Sequence, residues 1–442
     1  MHGLRQPLTD HVILVSIDGL RPNIYRDQHW PAPVLQELAQ RGAIALAMRS
    51  VFPALTYPAH VTLVTGALPA RHGVFDNECF EPSAPSGRWI WHADAIQVPT
   101  LWDAVHAHGG TTAALSWPVT VGADIDWNVP DVWDPRNTRS IEPIRAATTP
   151  QGLFAELERE ATGRLSDDTF SLDSLGREDV VGAMAAYLFE RYRPTLMLVH
   201  AIGLDHVRHR LGQDNPMARR AVAAADRAVA RIVETIERLN LVDRSTIVIT
   251  GDHGAVDVHT TLLPNVWLRE AGVAGTARDH WDVTFHASGG SAFLRIHPSL
   301  AAEQSRIVAS VHTAIKALPS GVRALFRLVE REELDRLGAE PAAPLALTAE
   351  AGVVFSPDGE GAPTQAAHGA GHGYHPDMPD MLTGFLAAGG GVRRGAVVPL
   401  MPVQHVAPFI AALLDLDLPD VDGTLLPGLL AIAPEQAPSR RP

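Results

Sequence analysis

The sequence predicts an α/β fold organised on a mainly parallel, buried central sheet. Three observations carry the prediction. Near-continuous apolar, β-rich runs recur far apart at His11–Ile17, Thr195–Ala201 and Ser245–Thr250, the pattern of strands covered on both faces. Helical patterns separate them. Each run also ends in polar residues suited to a site, and ligands of open α/β sheets gather at the carboxyl ends of the strands. At 442 residues the chain exceeds a usual single-domain length, so one large domain with insertions, or two domains, is expected.

In order, His11–Ile17 is the first strand and delivers Asp18-Gly19. Residues 32–42 read as a helix on the sheet, and Ala43–Ser50 as an extended segment. The stretch Phe52–Asn77 follows and is central. Phe52-Pro53 ends the extended run, Pro58 falls where a first-turn proline is tolerated, and Gly66 and Pro69 stop the helix. Thr56 is therefore placed at or near the N-cap, where free N–H groups and a partial positive charge favour an oxyanion or phosphate. That is a seat for a nucleophile, although a threonine there also serves as a plain cap.

Thr100–His108 reads as a helix and Thr111–Ser116 as a strand. From Pro118 to Asp173 the pattern loosens into a Pro-, Asp- and Trp-rich stretch, read as an insertion or lid. Trp117, Trp127 and Trp133 are taken as packing aromatics with no assigned role. The helix Glu178–Tyr192 and the strand Thr195–Ala201 lead into GLDHVRH, where Asp205 and His209 share one side of a helical turn. His206 and His200 stand nearby, His200 as a hydrogen-bonded core residue. The helix Pro216–Leu239 turns Val222, Val229, Ile232, Val233 and Ile236 to one face. Ser245–Thr250 ends in GDHG, a flexible turn whose Asp252 and His253 can both bend toward one cation. Residues 284–297 read as extended, and residues 296–365 as a small α+β excursion. Pro341–Thr348 and Gly359–Gly371 read as loops, the second delivering His372 and His375 in GHGYH. A last strand at Leu382–Ala388 and a closing helix at Val403–Leu414 complete the chain.

Composition narrows the function. Hydrophobic residues at 46% and charged residues at 19% fit a globular enzyme. Lys plus Arg total 36 against 50 for Asp plus Glu, a net charge of −14 with no basic stripe, which argues against a nucleic-acid surface. No apolar run is long enough for a membrane span and no signal-peptide h-region precedes the first strand, so a soluble cytoplasmic protein is expected. Cys79 is the only cysteine and 21 histidines are present, so any metal is held by histidine and carboxylate.

Three carboxylates and three histidines from separate segments, with one threonine at a helix start, suit two divalent ions that clamp the attacking and leaving oxygens of a phosphoryl displacement. Oxygen and nitrogen ligands without sulfur favour catalytic Zn²⁺, with Mn²⁺ or Fe also accepted. Together SIDG, FPALTYPAHVTLVTG, GLDHVRH, GDHG and GHGY resemble the alkaline phosphatase superfamily, most closely its nucleotide pyrophosphatase/phosphodiesterase branch. The resemblance runs from Asp18 to Asp422-Gly423.

It implies one alkaline-phosphatase-like catalytic domain over residues 1–442, a three-layer sandwich with helices on both faces of the sheet. By the same resemblance Asp18, Thr56, Asp252 and His253 bind one ion, and Asp205, His209 and His372 the other. Thr56 is then the nucleophile, forming a phospho-threonine, and Asn77 donates to a non-bridging phosphoryl oxygen alongside the Thr56 N–H. The implied substrate is a small phosphate diester or pyrophosphate, a nucleotide among the candidates. Sulfatases carry Cys or Ser followed by x-P-x-R, whereas here Thr56-Tyr57-Pro58-Ala59-His60 closes the formylglycine route and leaves His60 structural. His375 stands where the branch often has Asp, so His372 is preferred over His375 as the ligand. Phosphonoacetate hydrolases share the threonine and ligand set, which keeps C–P cleavage as the alternative; a catalytically silent metal-binding protein is a weaker one. A membrane-bound phosphoryl transferase is disfavoured.

Overall fold

A computed structural model describes residues 6–80, 88–134, 136–171, 174, 176–274 and 281–431. The two ends of the expected 1–442 domain, and Asp173 at the close of the expected insertion, lie outside the described residues.

The central sheet contains β1 (His11–Ile17), β2 (Ala43–Arg49), β3 (Thr112–Leu115), β4 (Trp127–Val129), β5 (Leu196–Ala201) and β6 (Ser245–Thr250), joined by Thr383–Gly389. Its order is β2, Thr383–Gly389, β6, β1, β5, β3, β4, with the short Val397–Val398 strand outside β2. The run from β6 to β4 is parallel. Thr383–Gly389 is antiparallel to both β6 and β2, so the sheet is mixed.

Two apolar layers explain the continuous hydrophobic runs. Along β1, Ile13, Val15 and Ile17 face a core shared with the helices Pro33–Arg41, Gly176–Tyr192 and Pro216–Arg238. Val12 and Leu14 face the opposite core, under the helices Thr56–Thr65, Leu101–Ala107 and Val406–Leu414. With both faces covered, alternation of polar and apolar residues disappears. The long helix buries Val222, Val229, Ile232 and Ile236, with Val233 half-buried against the same core.

The segment after Pro118 contributes the edge strand β4, then Ile144, Phe154, Leu157 and Phe170 to the first of these cores. Trp117, just before it, is fully buried, and Trp127 stacks on Tyr192 with ring centroids 4.2 Å apart, both packing as expected of structural aromatics.

A second, antiparallel sheet runs in the order Phe326–Glu330, Leu345–Ala349, Ser291–Ile296, Val283–Ser288. A two-residue turn at Gly289-Gly290 joins its last two strands in register, Ser288 opposite Ser291. Leu345–Ala349 corrects the expectation of a loop at Pro341–Thr348. The Ala- and Pro-rich composition suggests a loop, but Leu345, Ala346 and Leu347 are wholly buried between neighbouring strands. Gly359–Gly371 is loop apart from the short strands Thr364–Ala366 and Ala370–Gly371.

The Thr56–Thr65 helix is buried along its whole length. Gly66 ends it at φ 68°, its N–H bonding to Thr62 O at 2.8 Å, a left-handed cap that glycine adopts without strain. Leu55, not Thr56, is the N-cap residue, and no side chain caps the helix from that position. Thr56 is the first helical residue, which frees its hydroxyl. Among the described residues no helix is long and apolar enough to cross a membrane.

Candidate functional site

The register of the parallel strands builds the site. Ser16 of β1 lies opposite His200 of β5 and Thr250 of β6, so the three strands end level. The residues just beyond them, Asp18, Asp205 and Asp252-His253, therefore emerge along one edge. The Thr56 helix starts beside them, and the loop after Ala370–Gly371 brings His372.

Asp205, His209 and His372 form one group. His209 Nε2 is 3.0 Å from Asp205 Oδ2 and 3.0 Å from His372 Nε2, and His372 Nε2 is 4.0 Å from the same Asp205 oxygen. His253 anchors another group: its Nε2 lies 3.4 Å from Asp18 Oδ1, 3.2 Å from Asp252 Oδ2 and 3.2 Å from Thr56 Oγ1. Asp205 also lies with Asp18 and His253, ligand atoms of all three within 4.8 Å of one another. It thus stands between the groups, whereas the family resemblance alone assigns it to one. His253 and His372 stack at 3.8 Å between ring centroids. His375 points elsewhere, its Nε2 3.2 Å from Glu333.

The donor set fits divalent cations. Each of the three histidines turns Nδ1 to a backbone carbonyl: His209 to Ala370, His253 to Gly254 and His372 to Ala54, at 3.0, 2.9 and 3.3 Å. A carbonyl only accepts, so Nδ1 carries the proton and each Nε2 presents a lone pair to the centre. Two such lone pairs 3.0 Å apart, in His209 and His372, repel unless a cation or proton lies between them. Metal–ligand bonds of about 2.0–2.2 Å in a tetrahedron set ligand atoms roughly 3.3–3.6 Å apart, close to the separations here. Among the described residues Asp18 Oδ1 and Asp252 Oδ2 are buried without a hydrogen-bond donor. A cation supplies what these oxygens lack.

The electrostatics agree. Burial, with the Asp252 and Asp205 charges, pushes the Asp18 carboxyl well above its usual range, and burial raises Asp252. Burial lowers His253 to about 4 and His372 to about 3, keeping both as neutral ligands. Asp205 draws the more exposed His209 up to about 9, so a proton on its Nε2 competes with a cation for the place beside Asp205 and His372. Positive charge at the centre reverses the pressure on the carboxylates.

Thr56 and Asn77 meet at the helix start. Tyr57 N–H donates to Asn77 Oδ1 at 2.8 Å, which leaves the NH₂ end of the Asn77 amide as its donor. Pro58 has no N–H, and Ala59 N–H bonds to Leu55 O at 3.1 Å. Among the described residues Thr56 N–H is thus the first-turn donor left for a ligand. His60 is wholly buried, its Nδ1–H donating to Thr56 O at 2.8 Å, a structural role as expected. His200 is likewise a core residue, donating from Nδ1 to Ser116 O at 3.1 Å and lying 3.3 Å from Asp18 Oδ2.

Sequence reasoning overlooked several supports. Buried Arg208 donates to Gly19 O at 2.6 Å, and Gly19 N–H donates to Asp252 Oδ1 at 3.1 Å, tying two ligand loops together. Buried Glu178 accepts from Gly203 N–H at 2.8 Å, fixing the start of the Asp205 helix. Asp76 holds the backbone of Asn77 at 2.7 Å and accepts the distant Ser288 hydroxyl. A charge buried beside a motif is a signal only once its partner is known, and these partners are remote in sequence.

Comparison with known proteins fits this architecture. Human ectonucleotide pyrophosphatase/phosphodiesterase family member 7 is 28% identical over 255 residues, covering 56% of this chain and 48% of the relative. Human family member 5 is 23% identical over 256 residues, covering 56% and 46%. The chain spans about half the length of the curated relatives it matches. The solved structure of human member 5 superposes with a TM-score of 0.67 at 19% identity, covering 94% of this chain and 97% of the other. An inactive threonine-to-alanine variant of murine member 5, in complex with AMP, gives the same TM-score at 19% identity, covering 97% of this chain and 100% of the other. Residues 12–375 match the type I phosphodiesterase / nucleotide pyrophosphatase family, and the chain belongs to that family.

Proposed function

We propose that this protein hydrolyses phosphate diester or pyrophosphate bonds of small, nucleotide-like substrates through a phospho-threonine at Thr56. The observation that carries the reading is the position of the Thr56 hydroxyl. It lies 3.2 Å from His253 Nε2, at a helix start whose Thr56 N–H is uncommitted, beside paired groups of carboxylates and histidines.

Asp18, Asp252, His253 and Thr56 would hold one divalent ion, and Asp205, His209 and His372 the other, with zinc the best match to nitrogen and oxygen donors. When bound, such ions supply Lewis acidity and stabilise charge on the attacking and leaving oxygens. The residues of the chain do the rest. The Thr56 hydroxyl gives its proton to solvent, and its Oγ bonds to phosphorus as the opposite ester oxygen departs and takes up a proton from water. The Thr56 N–H and the Asn77 NH₂ donate to a non-bridging oxygen, whose charge grows in the transition state. A water oxygen then bonds to phosphorus as the P–Oγ bond breaks, a water proton returns to Thr56 Oγ, and the phosphate product leaves. Nδ1 contacts with backbone carbonyls hold the histidine rings in orientation throughout.

The half-buried Trp89 and Trp133, packed on the buried Tyr57, favour a diester over phosphonoacetate, whose carboxylate calls for cations. Tyr57, next to the nucleophile, meets Trp89 edge-on at 5.3 Å, and Trp89 meets Trp133 at 4.5 Å. Ile90 N–H bonds to Asn77 O at 2.9 Å, so these aromatics adjoin the proposed oxyanion donor. The murine relative's structure in complex with AMP supports a nucleotide-like substrate.

The test compares hydrolysis of a p-nitrophenyl nucleotide diester with that of phosphonoacetate, using zinc-loaded wild type and Thr56→Ala. Diester cleavage lost in the variant supports the reading. Release of phosphate and acetate from phosphonoacetate alone, or diester turnover that survives Thr56→Ala, overturns it.

A further inference from the structure

We infer that Asp76 is a positioning residue that locks the Asn77 donor onto the second sheet, acting through Asn77 and not on substrate. The inference rests on the proposed role of Asn77. The Asp76 carboxylate is divided between two parts of the molecule. Oδ1 accepts the backbone N–H of Asn77 at 2.7 Å and of Glu78 at 3.3 Å. Oδ2 accepts the Ser288 hydroxyl and lies 3.3 Å from His286 Nε2. Ser288 and His286 sit two residues apart on the strand Val283–Ser288, so both side chains leave the same face.

Ser288 opens the turn that also grips the metal-site loop. Gly290 N–H donates to His372 O at 2.8 Å, and Ala54 O, which accepts from the His372 ring, also accepts Gly373 N–H at 2.8 Å. One carboxylate therefore references Asn77 to the same turn that sets His372. Without it, Asn77 keeps its bond to Tyr57 N–H, but the backbone that carries it loses its anchor. A hydrogen-bonded, buried carboxylate joining remote segments is costly to leave half-partnered, so the arrangement holds one geometry.

The experiment is a mutant cycle on diester hydrolysis by the metal-loaded enzyme, with Asp76→Ala, Asp76→Asn and Ser288→Ala, each alone and with Asn77→Ala. Asp76→Ala is expected to lower kcat roughly 10- to 100-fold, the range for loss of a support to the reacting geometry, with KM and metal content within about threefold of wild type. Asp76→Asn retains an oxygen for the Asn77 N–H and recovers at least half of that loss on a logarithmic scale. In the Asn77→Ala background Asp76→Ala costs less than about threefold. Equal losses in both backgrounds overturn the inference while leaving the function intact. Wild-type speed in Asn77→Ala overturns the oxyanion reading and this inference together. Should Asp76→Ala not fold, Ser288→Ala carries the same cycle, and its results are read in the same way.

Discussion

Asn77→Asp separates the two jobs given to one side chain. In the structure Asn77 Oδ1 accepts Tyr57 N–H at 2.8 Å, a capping bond at the second residue of the Thr56 helix, and the NH₂ end is the proposed donor to phosphoryl oxygen. Aspartate keeps the acceptor and places negative charge at a helix N-terminus, where it stabilises by about 0.3–1 kcal/mol. It removes the donor and sets a carboxylate oxygen against an anionic phosphoryl group. Loss of one oxyanion donor lowers kcat by about 10²–10³-fold, or roughly 2.7–4 kcal/mol, and added repulsion makes the aspartate variant at least that slow. Asn77→Ala loses the donor and the cap together, so it is slow and also less stable by about 1 kcal/mol. The assay pairs kcat on the nucleotide diester with denaturant unfolding of wild type and both variants. The expected pattern is two slow enzymes of which only the alanine variant is destabilised. Turnover of Asn77→Asp within about threefold of wild type refutes the donor role.

Three more outcomes are expected. Alanine at Asp205, His209 or His372 lowers bound metal as well as rate, measured by elemental analysis of purified protein, while His375→Ala, its ring turned to Glu333, retains metal. Burial lowers His72 to about 3; Val74 N–H donates to its Nδ1 and its Nε2–H faces Thr62 Oγ1 at 3.0 Å, which fixes the neutral form. Because the folded value lies below the unfolded one, the stability this residue allows is complete above about pH 6.5 and declines as pH falls toward about 3. Between about pH 7.5 and 5.0 the loss is about 2 kcal/mol, so unfolding free energies of His72→Gln fall less steeply than wild type by that amount, and parallel slopes contradict the assignment. Gly373 has φ 84° and a Cβ there would stand 2.1 Å from Ser288 O; Gly373→Ala is expected to cost about 2 kcal/mol or more of stability in denaturant unfolding, and a cost below about 0.5 kcal/mol counts against this packing.

What was legible in the sequence is what is local in the chain. Asp18, Asp205 and Asp252-His253 each come within four residues of the end of a strand whose burial is written in its own residues, so the strand ends could be found and the site placed at them. Thr56 was legible as the start of a helix, but its exact place was not. Cap and first-turn positions differ by one residue, and only Leu55 in extended conformation and Thr56 turned to His253 decide between them. The strand Leu345–Ala349 was hidden because alanine and proline carry a loop signal, whereas burial between two neighbouring strands makes it a strand.

The supports of the site were hidden for a deeper reason. Asp76 and Ser288 are separated by 212 residues, and Arg208 reaches Gly19 across 189. No periodicity encodes such pairs, since each residue alone is ordinary for its turn, strand or helix. Their energetic weight arises only when folding removes water from both. A ligand must present a particular element at a strand end, and so leaves a motif. A supporting residue needs only an oxygen or a proton at the right distance, which many residue types supply. The site's chemistry is therefore written locally, while the rigidity that makes it effective is written in contacts that only the fold assembles.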